Sequence, residues 1–261
     1  MRTQRPKIGI IGVGFVGSAV KYYYEGKKYP VVAYDTHKRI GTMKDINSAD
    51  IIFVCVPTPF KEGVGCDTSI VREAISKVKK GKIVVIKSTI IPGTTEELQK
   101  EFPDHILLFN PEFLVAKTAN TDFAFPSRQI VGYTKQSKEY ANMVLDELPP
   151  APHEIIMLAT EAEMVKYFCN TFLATRVIFG NQMYDICKAL GIDYDLVKEW
   201  AGYDPRVGQS HFDVNQDDYR GYGGACLPKD VQALICLAGK MGVKSSLLKT
   251  IERINKAYKK P

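Results

Sequence analysis

Residues 7–17 read KIGIIGVGFVG, an apolar run that leads into three glycines, and the chain continues SAVKYYY from residue 18. Gly12, Gly14 and Gly17 have the G-x-G-x-x-G spacing of a dinucleotide-binding turn between a strand and a helix. In such a turn the first glycine permits a tight bend, the second lets the backbone approach a pyrophosphate, and the third lets helix and strand pack closely. The helix N-terminus adds amide donors and the positive end of a dipole for the phosphates.

A carboxylate stands at the end of the second apolar run, at Asp35, 18 residues after Gly17. It would accept hydrogen bonds from a ribose diol and repel a 2′-phosphate, so the sequence predicts NAD rather than NADP. Lys38 and Arg39 follow closely and keep NADP open as an alternative. An ordinary glycine-rich turn with no ligand is the other interpretation of the motif.

Short apolar runs alternate with helix-like segments through the first half of the chain. The runs lie at residues 8–11, 31–34, 51–56, 83–86, 106–109 and 129–131, and the helical patterns at 68–79, 93–101 and 136–148. Continuous apolar strands separated by helices are typical of a parallel sheet covered on both faces. The predicted fold class is therefore α/β, with a Rossmann-type doubly wound parallel sheet.

A proline-rich segment, PPAP, is expected to end this sheet domain, because each proline removes a backbone donor and disfavours helix in the residue before it. The predicted domains are residues 1–152 and 153–261.

Beyond the prolines the apolar pattern becomes helical. Thr160 and Glu163 have the spacing of a capping box, the periodicity continues to about Leu190, and Gly191 is a natural C-cap. Further helices are predicted at residues 229–240 and 244–258. The second domain is therefore expected to be all-helical around one long central helix.

Composition and charge narrow the class of protein. Of the 261 residues, 45% are hydrophobic and 25% charged, as in a globular protein, and no apolar run approaches the roughly 18 residues of a membrane span. The net charge of +6 suits an anionic small molecule, while the dispersed lysines argue against nucleic acid. Six scattered cysteines without a CxxC pair predict unpaired thiols in a reducing cytoplasm, and four histidines without ligand spacing predict no metal site.

Two loops, CVPTP and STIIPG, follow the third and fourth predicted strands, at the edge where ligands bind in open parallel sheets. Pro57 stiffens the first loop, and Thr58, Ser88 and Thr89 offer hydroxyls to a cofactor or substrate. As isolated turns, both loops could also be purely structural.

Three further groups of residues carry candidate chemistry. Glu112, in NPE, follows the next strand and should project over the same crevice. Lys166 and Asn170 are four residues apart on the long predicted helix and share one face. An ammonium and an amide placed side by side can hold an oxygen whose charge grows during a reaction, although a solvated helix face is the plainer interpretation.

The third group lies in GYGGACLPKD at residues 221–230, where Cys226 stands at a loop-to-helix junction. The dipole of the following helix favours its thiolate and Lys229 adds positive charge, which is the environment of a nucleophile. Three glycines in four positions suggest a backbone that closely approaches a ligand. The other five cysteines are expected to be structural.

Together these motifs resemble the nucleotide-sugar 6-dehydrogenases, in which a sugar C6 alcohol is oxidised to a carboxylate with two NAD. The shared motifs, in the family's order, are GVGFVG, CVPTP, STIIPGTT, NPEFL, EAEMVKYFCNTFLATR, YDPRVG and GGACLPKD. The resemblance implies UDP-glucose as the substrate, with GDP-mannose as the next choice. It also implies a homodimer through the long helix, in which Arg206 reaches the substrate of the partner subunit.

The resemblance further implies a role for each matching residue. Cys226 would attack the C6 aldehyde and carry first a thiohemiacetal and then a thioester. The set expected to carry the chemistry is Cys226, Lys166 and Asn170 (oxyanion), Asp230 and Thr89 (water), and Glu112 (thioester hydrolysis). The residues expected at the cofactor are Gly12, Val13, Gly14, Phe15, Val16, Gly17, Asp35, Pro57, Thr58, Ser88, Thr89 and Lys229. Those expected at the substrate are Glu112, Phe113, Leu114, Lys166, Asn170, Arg206, Tyr222, Gly223 and Gly224.

The chain departs from the family pattern in three respects. The family carries a third, C-terminal Rossmann-like domain that helps to hold the nucleotide, and the motifs of this sequence stop before it. A partner chain that supplies this domain is therefore one possible partner. Only 15 residues separate Asp35 from Ile51, fewer than is usual, and Ala116 stands where a second glutamate is usual. Two competing functions are a two-electron β-hydroxyacid dehydrogenase, which shares the Lys-x-x-x-Asn helix but does not need Cys226, and a non-catalytic NAD-binding module that acts through a partner.

Overall fold

The computed structural model describes residues 5–215 and 219–258, which form two compact units. The first unit comprises the residues up to Pro59 together with Asp67–Lys166. The second comprises Phe60–Cys66 together with the residues from Tyr167 onward. The division therefore falls later than the proline segment at which the sequence placed the domain boundary, and residues 60–66 belong to the second unit.

The elements follow one another in an order close to the predicted one. The strands are β1 (Ile8–Ile11), β2 (Val31–Tyr34), β3 (Ile51–Val54), β4 (Phe60–Lys61), β5 (Gly65–Cys66), β6 (Ile83–Ile86), β7 (Ile106–Phe109), β8 (Gln129–Tyr133) and β9 (Glu154–Leu158). The helices are α1 (Phe15–Gly26), α2 (Met43–Ile46), α3 (Ser69–Ser76), α4 (Thr94–Glu101), α5 (Ala119–Ala124), α6 (Ala141–Glu147), α7 (Ala159–Leu190), α8 (Tyr194–Gly202), α9 (Leu227–Lys240) and α10 (Ser246–Tyr258).

A seven-stranded sheet with the order β2-β1-β3-β6-β7-β8-β9 forms the centre of the first unit. The first five strands are parallel, which confirms the α/β, Rossmann-type fold. The all-parallel expectation is wrong for β8, which runs antiparallel to β7. Asn110, directly after β7, donates hydrogen bonds to the Gln129 side chain and the Ile130 carbonyl, and so holds the end of β7 beside the start of β8.

The sheet continues past the prolines, because β9 pairs in parallel with β8, from Gln129↔Glu154 to Tyr133↔Leu158. The Gln129 side chain donates a hydrogen bond to the Pro149 carbonyl at 3.2 Å, so the proline segment forms the loop into this last strand. Ala159 and Ala162, at the start of α7, are completely buried in the core of the same unit. These contacts explain why the first unit extends to Lys166.

The strands bury side chains on both faces, as their unbroken apolar runs predict. Ile10 and Phe53 belong to a cluster on one face with residues of α1 and α6. Ile11 and Val54 belong to a cluster on the other face with residues of α3, α4 and α7. Because helices cover both faces, the loops at the strand ends are the part of the sheet left for a ligand.

Four helices, α7 beyond Lys166, α8, α9 and α10, lie in the second unit together with the β4–β5 hairpin. The predicted helical region therefore also includes a hairpin from the first half of the chain. Phe60 pairs with Cys66 across the hairpin, and the Lys240 ammonium of α9 donates to the Val64 carbonyl at 2.9 Å.

The long central helix is confirmed, since α7 runs for 32 residues and Gly191 follows it with φ +70°. The predicted capping box is wrong, because the helix begins at Ala159 and Thr160 already lies inside its first turn. The Glu163 carboxylate instead accepts hydrogen bonds from Gly93 N at 2.6 Å, Thr95 N at 2.8 Å and Thr95 Oγ1 at 2.6 Å. It therefore caps α4 and links the loop before that helix to α7.

Glu163 is completely buried, and this burial raises its pKa to about 7, against the lowering effect of the hydrogen bonds from Thr95 and Gly93. The folded protein consequently binds a proton that the unfolded chain has already released between pH about 4.5 and 7. A folded state that binds more protons loses stability as the pH rises through that interval.

We expect the free energy of unfolding to fall between pH 5 and 7 by at most about 1.4 kcal/mol per pH unit from this group. In Glu163→Gln that fall disappears, because the side chain no longer titrates. Urea unfolding across this pH range measures the slope, with Glu161→Gln, an exposed carboxylate on the same helix, as the control. An equal slope in Glu163→Gln and in the unchanged protein would contradict the assignment.

Candidate active site

The glycine turn after β1 has the geometry that its spacing predicts. Gly12 has φ +88°, a conformation that favours glycine. An ideal Cβ on Gly17 would lie 1.9 Å from the Gly12 carbonyl oxygen, so only glycine lets α1 pack this closely. At Gly14, the N-cap of α1, an ideal Cβ meets no atom within 4 Å. The space beside Gly14 is therefore open at the N-terminus of a helix, as a pyrophosphate requires.

Asp35 is held against this turn. Its Oδ2 accepts a hydrogen bond from Val13 N at 2.7 Å and its Oδ1 one from Lys38 N at 2.8 Å. Partial burial tends to raise the pKa of Asp35, but the amides of Lys38, Val13 and His37 and the Lys38 ammonium hold it below its ordinary value. The carboxylate is thus negative at neutral pH and repels a 2′-phosphate. The Lys38 ammonium donates to the Val13 carbonyl at 2.5 Å.

A cavity of about 260 Å³ opens beside Asp35 at the carboxyl ends of β1, β2 and β3. Its walls are mainly apolar, with Asp35 at one side, which is the combination that an adenosine with its ribose diol requires. The lining residues are Ile11, Gly12, Tyr34, Asp35, Thr36, His37, Met43, Val56, Pro57, Ile70, Glu73, Ala74 and Lys77. The turn, the carboxylate and this cavity together fit a dinucleotide.

The other predicted cofactor residues divide between surface and core. Phe15 is 69% exposed at the start of α1, whereas Val16 packs into the core and Val13 is buried. Thr58 Oγ1 donates to the Thr89 carbonyl at 2.6 Å, and Ser88 Oγ donates to the Val56 carbonyl at 2.7 Å. Each of these two hydroxyls uses its hydrogen to join one loop to the other. Toward a ligand, each can therefore act only as a hydrogen-bond acceptor.

Glu112 is held by a partner that the sequence interpretation missed, Lys87. The Lys87 ammonium lies 2.9 Å from Glu112 Oε2 and donates to Asn110 Oδ1 at 2.6 Å, and its side chain is only 2% exposed. Glu112 Oε1 accepts hydrogen bonds from the amides of Phe113 and Leu114 at 2.9 and 3.2 Å. Both carboxylate oxygens are therefore engaged. The signal in the sequence was a lysine directly after an apolar strand.

Lys166 reaches the same loop of the first unit. Its ammonium donates to the Glu112 carbonyl and lies 5.3 Å from the centre of the Phe113 ring. The Arg128 guanidinium lies 3.8 Å from the centre of that ring. The structure thus brings together Lys166, Glu112 and Phe113, three of the predicted residues, with two further cations, Lys87 and Arg128.

In the second unit, Cys226 is exposed and occupies the N-cap position of α9. Its carbonyl accepts a hydrogen bond from Asp230 N at 3.1 Å. Asp230 is completely buried, accepts a hydrogen bond from Asn170 Nδ2 at 2.6 Å, and lies 2.5 Å from the Lys229 ammonium. Four of the predicted residues, Cys226, Lys229, Asp230 and Asn170, therefore form one group.

The predicted substrate residues just before Cys226 differ in their surroundings. Tyr222 is only 2% exposed and packs in the core of the second unit rather than on its surface. The close backbone approaches of Gly221 and Gly223 are to the protein itself, since ideal Cβ atoms there would lie 2.3 Å from Asn255 Oδ1 and 1.9 Å from the Tyr219 hydroxyl. Gly224, with φ +71°, has open space.

Arg206 is exposed and paired within its own chain, with a guanidinium nitrogen 2.6 Å from Asp204 Oδ2. The six cysteines, all in the described part of the chain, form no disulfide. Among the described residues, no three His, Cys, Asp or Glu side chains cluster as metal ligands. Within the same residues, no helix combines the length and apolarity needed to cross a bilayer.

The fold and the two residue groups define a class, a dinucleotide-binding α/β protein that carries an exposed cysteine beside a buried carboxylate. Models of the UDP-glucose/GDP-mannose dehydrogenase family match most of the chain, the NAD binding domain at residues 39–148 and the central domain at residues 160–257. The chain belongs to this family, and its cofactor is NAD.

Individual relatives agree with this assignment. A UDP-glucose 6-dehydrogenase of Rickettsia typhi is 33% identical over 224 residues, which cover 81% of this chain and 50% of the relative. A UDP-glucose dehydrogenase structure from Pyrobaculum islandicum superposes with a TM-score of 0.87 at 27% identity, over 98% of this chain and 69% of that one. A GDP-mannose dehydrogenase structure from Pseudomonas aeruginosa gives a TM-score of 0.67 at 27% identity, over 96% and 68%. The chain spans about half the length of the curated relatives it matches.

Two glycine substitutions separate cofactor binding from folding. Gly14→Ala places a methyl group in open space, so we expect stability without cofactor to change by less than about 1 kcal/mol and NAD affinity to fall at least about tenfold. Gly17→Ala forces a methyl group against a backbone carbonyl and should cost about 3 kcal/mol or more of stability. Thermal unfolding with and without NAD measures both quantities. Unchanged NAD affinity in Gly14→Ala would show that the cofactor does not approach this turn.

Proposed function

We propose that this protein oxidises the C6 alcohol of a nucleotide sugar to the carboxylate with NAD, and that its substrate is UDP-glucose and its product UDP-glucuronate. The observation that carries the proposal is the group formed by the exposed Cys226 and the buried Asp230–Asn170 pair. A two-electron alcohol oxidation does not need a cysteine. The names of the Rickettsia and Pyrobaculum relatives support UDP-glucose as the sugar nucleotide.

The cofactor supplies the acceptor for the hydride that leaves the sugar carbon in each of the two oxidations. The Gly12–Gly14–Gly17 turn would hold its pyrophosphate through open backbone and helix-terminal amides, and Asp35 its adenosine ribose. Phe15, exposed beside the turn, and Pro57, in the cavity wall, would contact the dinucleotide. Lys229 is proposed as a further cofactor residue on the resemblance to the family alone.

The role of Cys226 follows from the change in oxidation state of the sugar carbon. After the first oxidation, the thiol sulfur forms a bond to the C6 aldehyde carbon and its proton passes to the carbonyl oxygen, which gives a thiohemiacetal. Loss of a hydride from that carbon and a proton from its hydroxyl leaves a thioester. Water then adds to the thioester carbon and the C–S bond breaks, which releases the carboxylate and restores the thiol.

The neighbouring residues would act on the charges of these steps. Lys166 and Asn170, four residues apart on α7, would stabilise the negative oxygen at C6 with an ammonium and an amide. Asp230, with Thr89, would position the attacking water, while its own oxygens are held by the Asn170 amide and the Lys229 ammonium. Because the Glu112 carboxylate is already engaged by Lys87 and two amides, its contribution to hydrolysis would be electrostatic and orienting rather than free general-base action.

Other substrate residues are proposed on their position. Phe113 and Leu114 lie in the loop that Glu112 and Lys166 hold, and Gly224 has open space two residues before Cys226. GDP-mannose is the alternative substrate, because one of the similar solved structures, from Pseudomonas aeruginosa, is named a GDP-mannose dehydrogenase. The six cysteines without a disulfide support the reducing cytoplasm as the compartment.

The amount of NADH formed per sugar tests this proposal. With excess NAD we expect two NADH for each UDP-glucose consumed. In Cys226→Ala carboxylate formation should be lost, with at most one NADH per sugar, because no thioester can form. Cys236→Ala, on the same helix, is the matched control and should retain two.

Other outcomes favour the competing functions. Carboxylate formation at an unchanged rate in Cys226→Ala would overturn the thioester mechanism. One NADH per sugar in the unchanged protein would indicate a two-electron dehydrogenase. The absence of NADH with both sugar nucleotides, while NAD binds, would indicate the non-catalytic module.

We also propose that the protein forms a homodimer through α7. Five large apolar side chains on this helix are more than half exposed, Phe168 (69%), Phe172 (53%), Phe179 (56%), Ile186 (51%) and Leu190 (67%). Their spacing of four and seven residues places them along one face of a helix. Such a stripe is unusual for a surface exposed to water and is typical of a subunit interface. In the dimer, Arg206 would reach the substrate of the partner subunit.

Charges introduced into the stripe should separate the subunits. We expect Phe179→Asp combined with Ile186→Asp to raise the dimer dissociation constant at least about tenfold, because two carboxylates would be buried without partners. Sedimentation velocity measures the change. Met241→Asp, a substitution of another side chain that is 69% exposed, is the control and should leave the dimer intact. A monomer in the unchanged protein at micromolar concentration would exclude the proposed interface.

A further inference from the structure

The backbone of the segment that leads to Cys226 is anchored to α10 by the side chain of Asn255. Asn255 Oδ1 accepts a hydrogen bond from Tyr222 N at 2.7 Å, and Asn255 Nδ2 donates to the Tyr222 carbonyl at 3.0 Å. The amide side chain therefore satisfies both backbone groups of one residue, as a neighbouring strand would. Asn255 is 3% exposed, so these hydrogen bonds are shielded from water.

A second residue of α10, Glu252, accepts hydrogen bonds from one residue before Cys226 in the chain and from one residue after it. Its Oε2 accepts a hydrogen bond from the Tyr222 hydroxyl at 2.7 Å, four residues before the cysteine. Its Oε1 accepts one from Gln232 Nε2 at 2.8 Å, six residues after the cysteine and on α9. Glu252 is 8% exposed, so one buried carboxylate joins the loop that leads to Cys226 with the helix that follows it.

The charges around this carboxylate keep the arrangement intact near neutral pH. Burial tends to raise the pKa of Glu252, but hydrogen bonds from Gln232, Tyr222 and Lys256 hold it below its ordinary value. Burial and the hydrogen bond to Glu252 raise the pKa of Tyr222. A charged acceptor with a neutral donor gives a stronger hydrogen bond than a neutral pair.

We propose that Glu252 and Asn255 are positioning residues for Cys226, which hold the loop at residues 221–225 against α9 and so fix the sulfur at the N-cap of that helix. Tyr222, expected from the sequence to touch the substrate, is the side chain through which they act. The proposal deepens the proposed function by assigning the support of its nucleophile, but its first test needs no substrate.

The first test compares two tyrosine hydroxyls that bind carboxylates. Tyr222→Phe removes the hydrogen bond to Glu252, whereas Tyr258→Phe, on α10, removes one to Asp185 and leaves the Glu252 and Asn255 contacts in place. The readout is the rate at which iodoacetamide alkylates Cys226, resolved by peptide mass spectrometry, with Cys236 of the same helix as the internal reference. We expect at least about threefold slower alkylation of Cys226 in Tyr222→Phe and no change in Tyr258→Phe, because Cys226 would leave the N-terminus of α9, where the helix dipole favours an anionic group.

The second test asks whether hydrogen bonding or charge matters at Glu252. In Glu252→Gln the side-chain oxygen can still accept from Tyr222, and the amide can donate to Gln232 once that side chain turns its oxygen inward, so alkylation should slow clearly less than in Glu252→Leu. Glu252→Leu removes both hydrogen bonds and should slow alkylation at least as much as Tyr222→Phe. Circular dichroism establishes that each variant is folded. Because Glu252→Gln preserves the contacts, it keeps the test decisive even where Glu252→Leu fails to fold.

Two results of the alkylation tests would overturn the proposal. One is an unchanged or faster alkylation of Cys226 in folded Tyr222→Phe. The other is an equal loss in Glu252→Gln and Glu252→Leu, since charge rather than hydrogen bonding would then be the cause.

A kinetic measurement separates this proposal from the proposed function. In active protein we expect Tyr222→Phe to lower kcat about tenfold with KM for the sugar nucleotide changed less than about twofold, because the thiol is displaced while the substrate contacts remain. If neither the unchanged protein nor any variant forms NADH, the proposed function fails. The alkylation rates still decide whether α10 positions the cysteine. A KM that rises with kcat unchanged would return Tyr222 to the substrate site and overturn the positioning role.

Discussion

In the first unit, the packing of α1 against the turn after β1 sets the position of the loops at the cofactor edge of the sheet. Gly17 can approach the Gly12 carbonyl only because neither residue has a side chain, and an ideal Cβ on Gly12 would itself lie 2.7 Å from the Cys55 carbonyl. Three segments, the turn, α1 and the loop after β3, therefore meet at one point with no room for a methyl group. The hydrogen bond from the Thr58 hydroxyl to the Thr89 carbonyl then fixes the loop after β6 to the loop after β3.

Carboxylates that are buried, or half-buried in the case of Glu112, act in a similar way at the other candidate positions. Glu112, Glu163, Asp230 and Glu252 each accept hydrogen bonds or an ion pair from segments that are separate in the chain. A buried carboxylate is costly unless such donors surround it, so each one favours a single arrangement of the elements that it joins. Apolar packing determines how the helices cover the sheet. These four side chains determine the conformation of the loops that carry the candidate site residues.

The sequence predicts the strands well because an unbroken β-branched run leaves little choice of structure, and β1, β2, β6 and β7 end at the predicted residues. It does not reveal the direction of β8, which depends on the contacts of Asn110 with a distant segment. It also hides β9, since IIML beside prolines suits the end of a loop or the start of a helix. Among the site residues, Cys226 stood out through its flanking sequence. Lys87 did not, because a lysine that ends a strand is usually on the surface, and only the fold brings Glu112 to it.

The hairpin at residues 60–66 has a consequence for how the chain can be divided. The chain leaves the first unit after Pro59, contributes seven residues to the second and returns at Asp67. Gly65 and Cys66 are buried there, and an ideal Cβ on Gly65 would lie 3.3 Å from the Cys236 sulfur. No single cut can therefore yield both units whole. A fragment that ends at Lys166 would retain the hairpin without the helix that covers it, and one that starts at Tyr167 would expose the surface that the hairpin covers. Recombination at one junction could not exchange either unit intact, so the two are expected to have been inherited together.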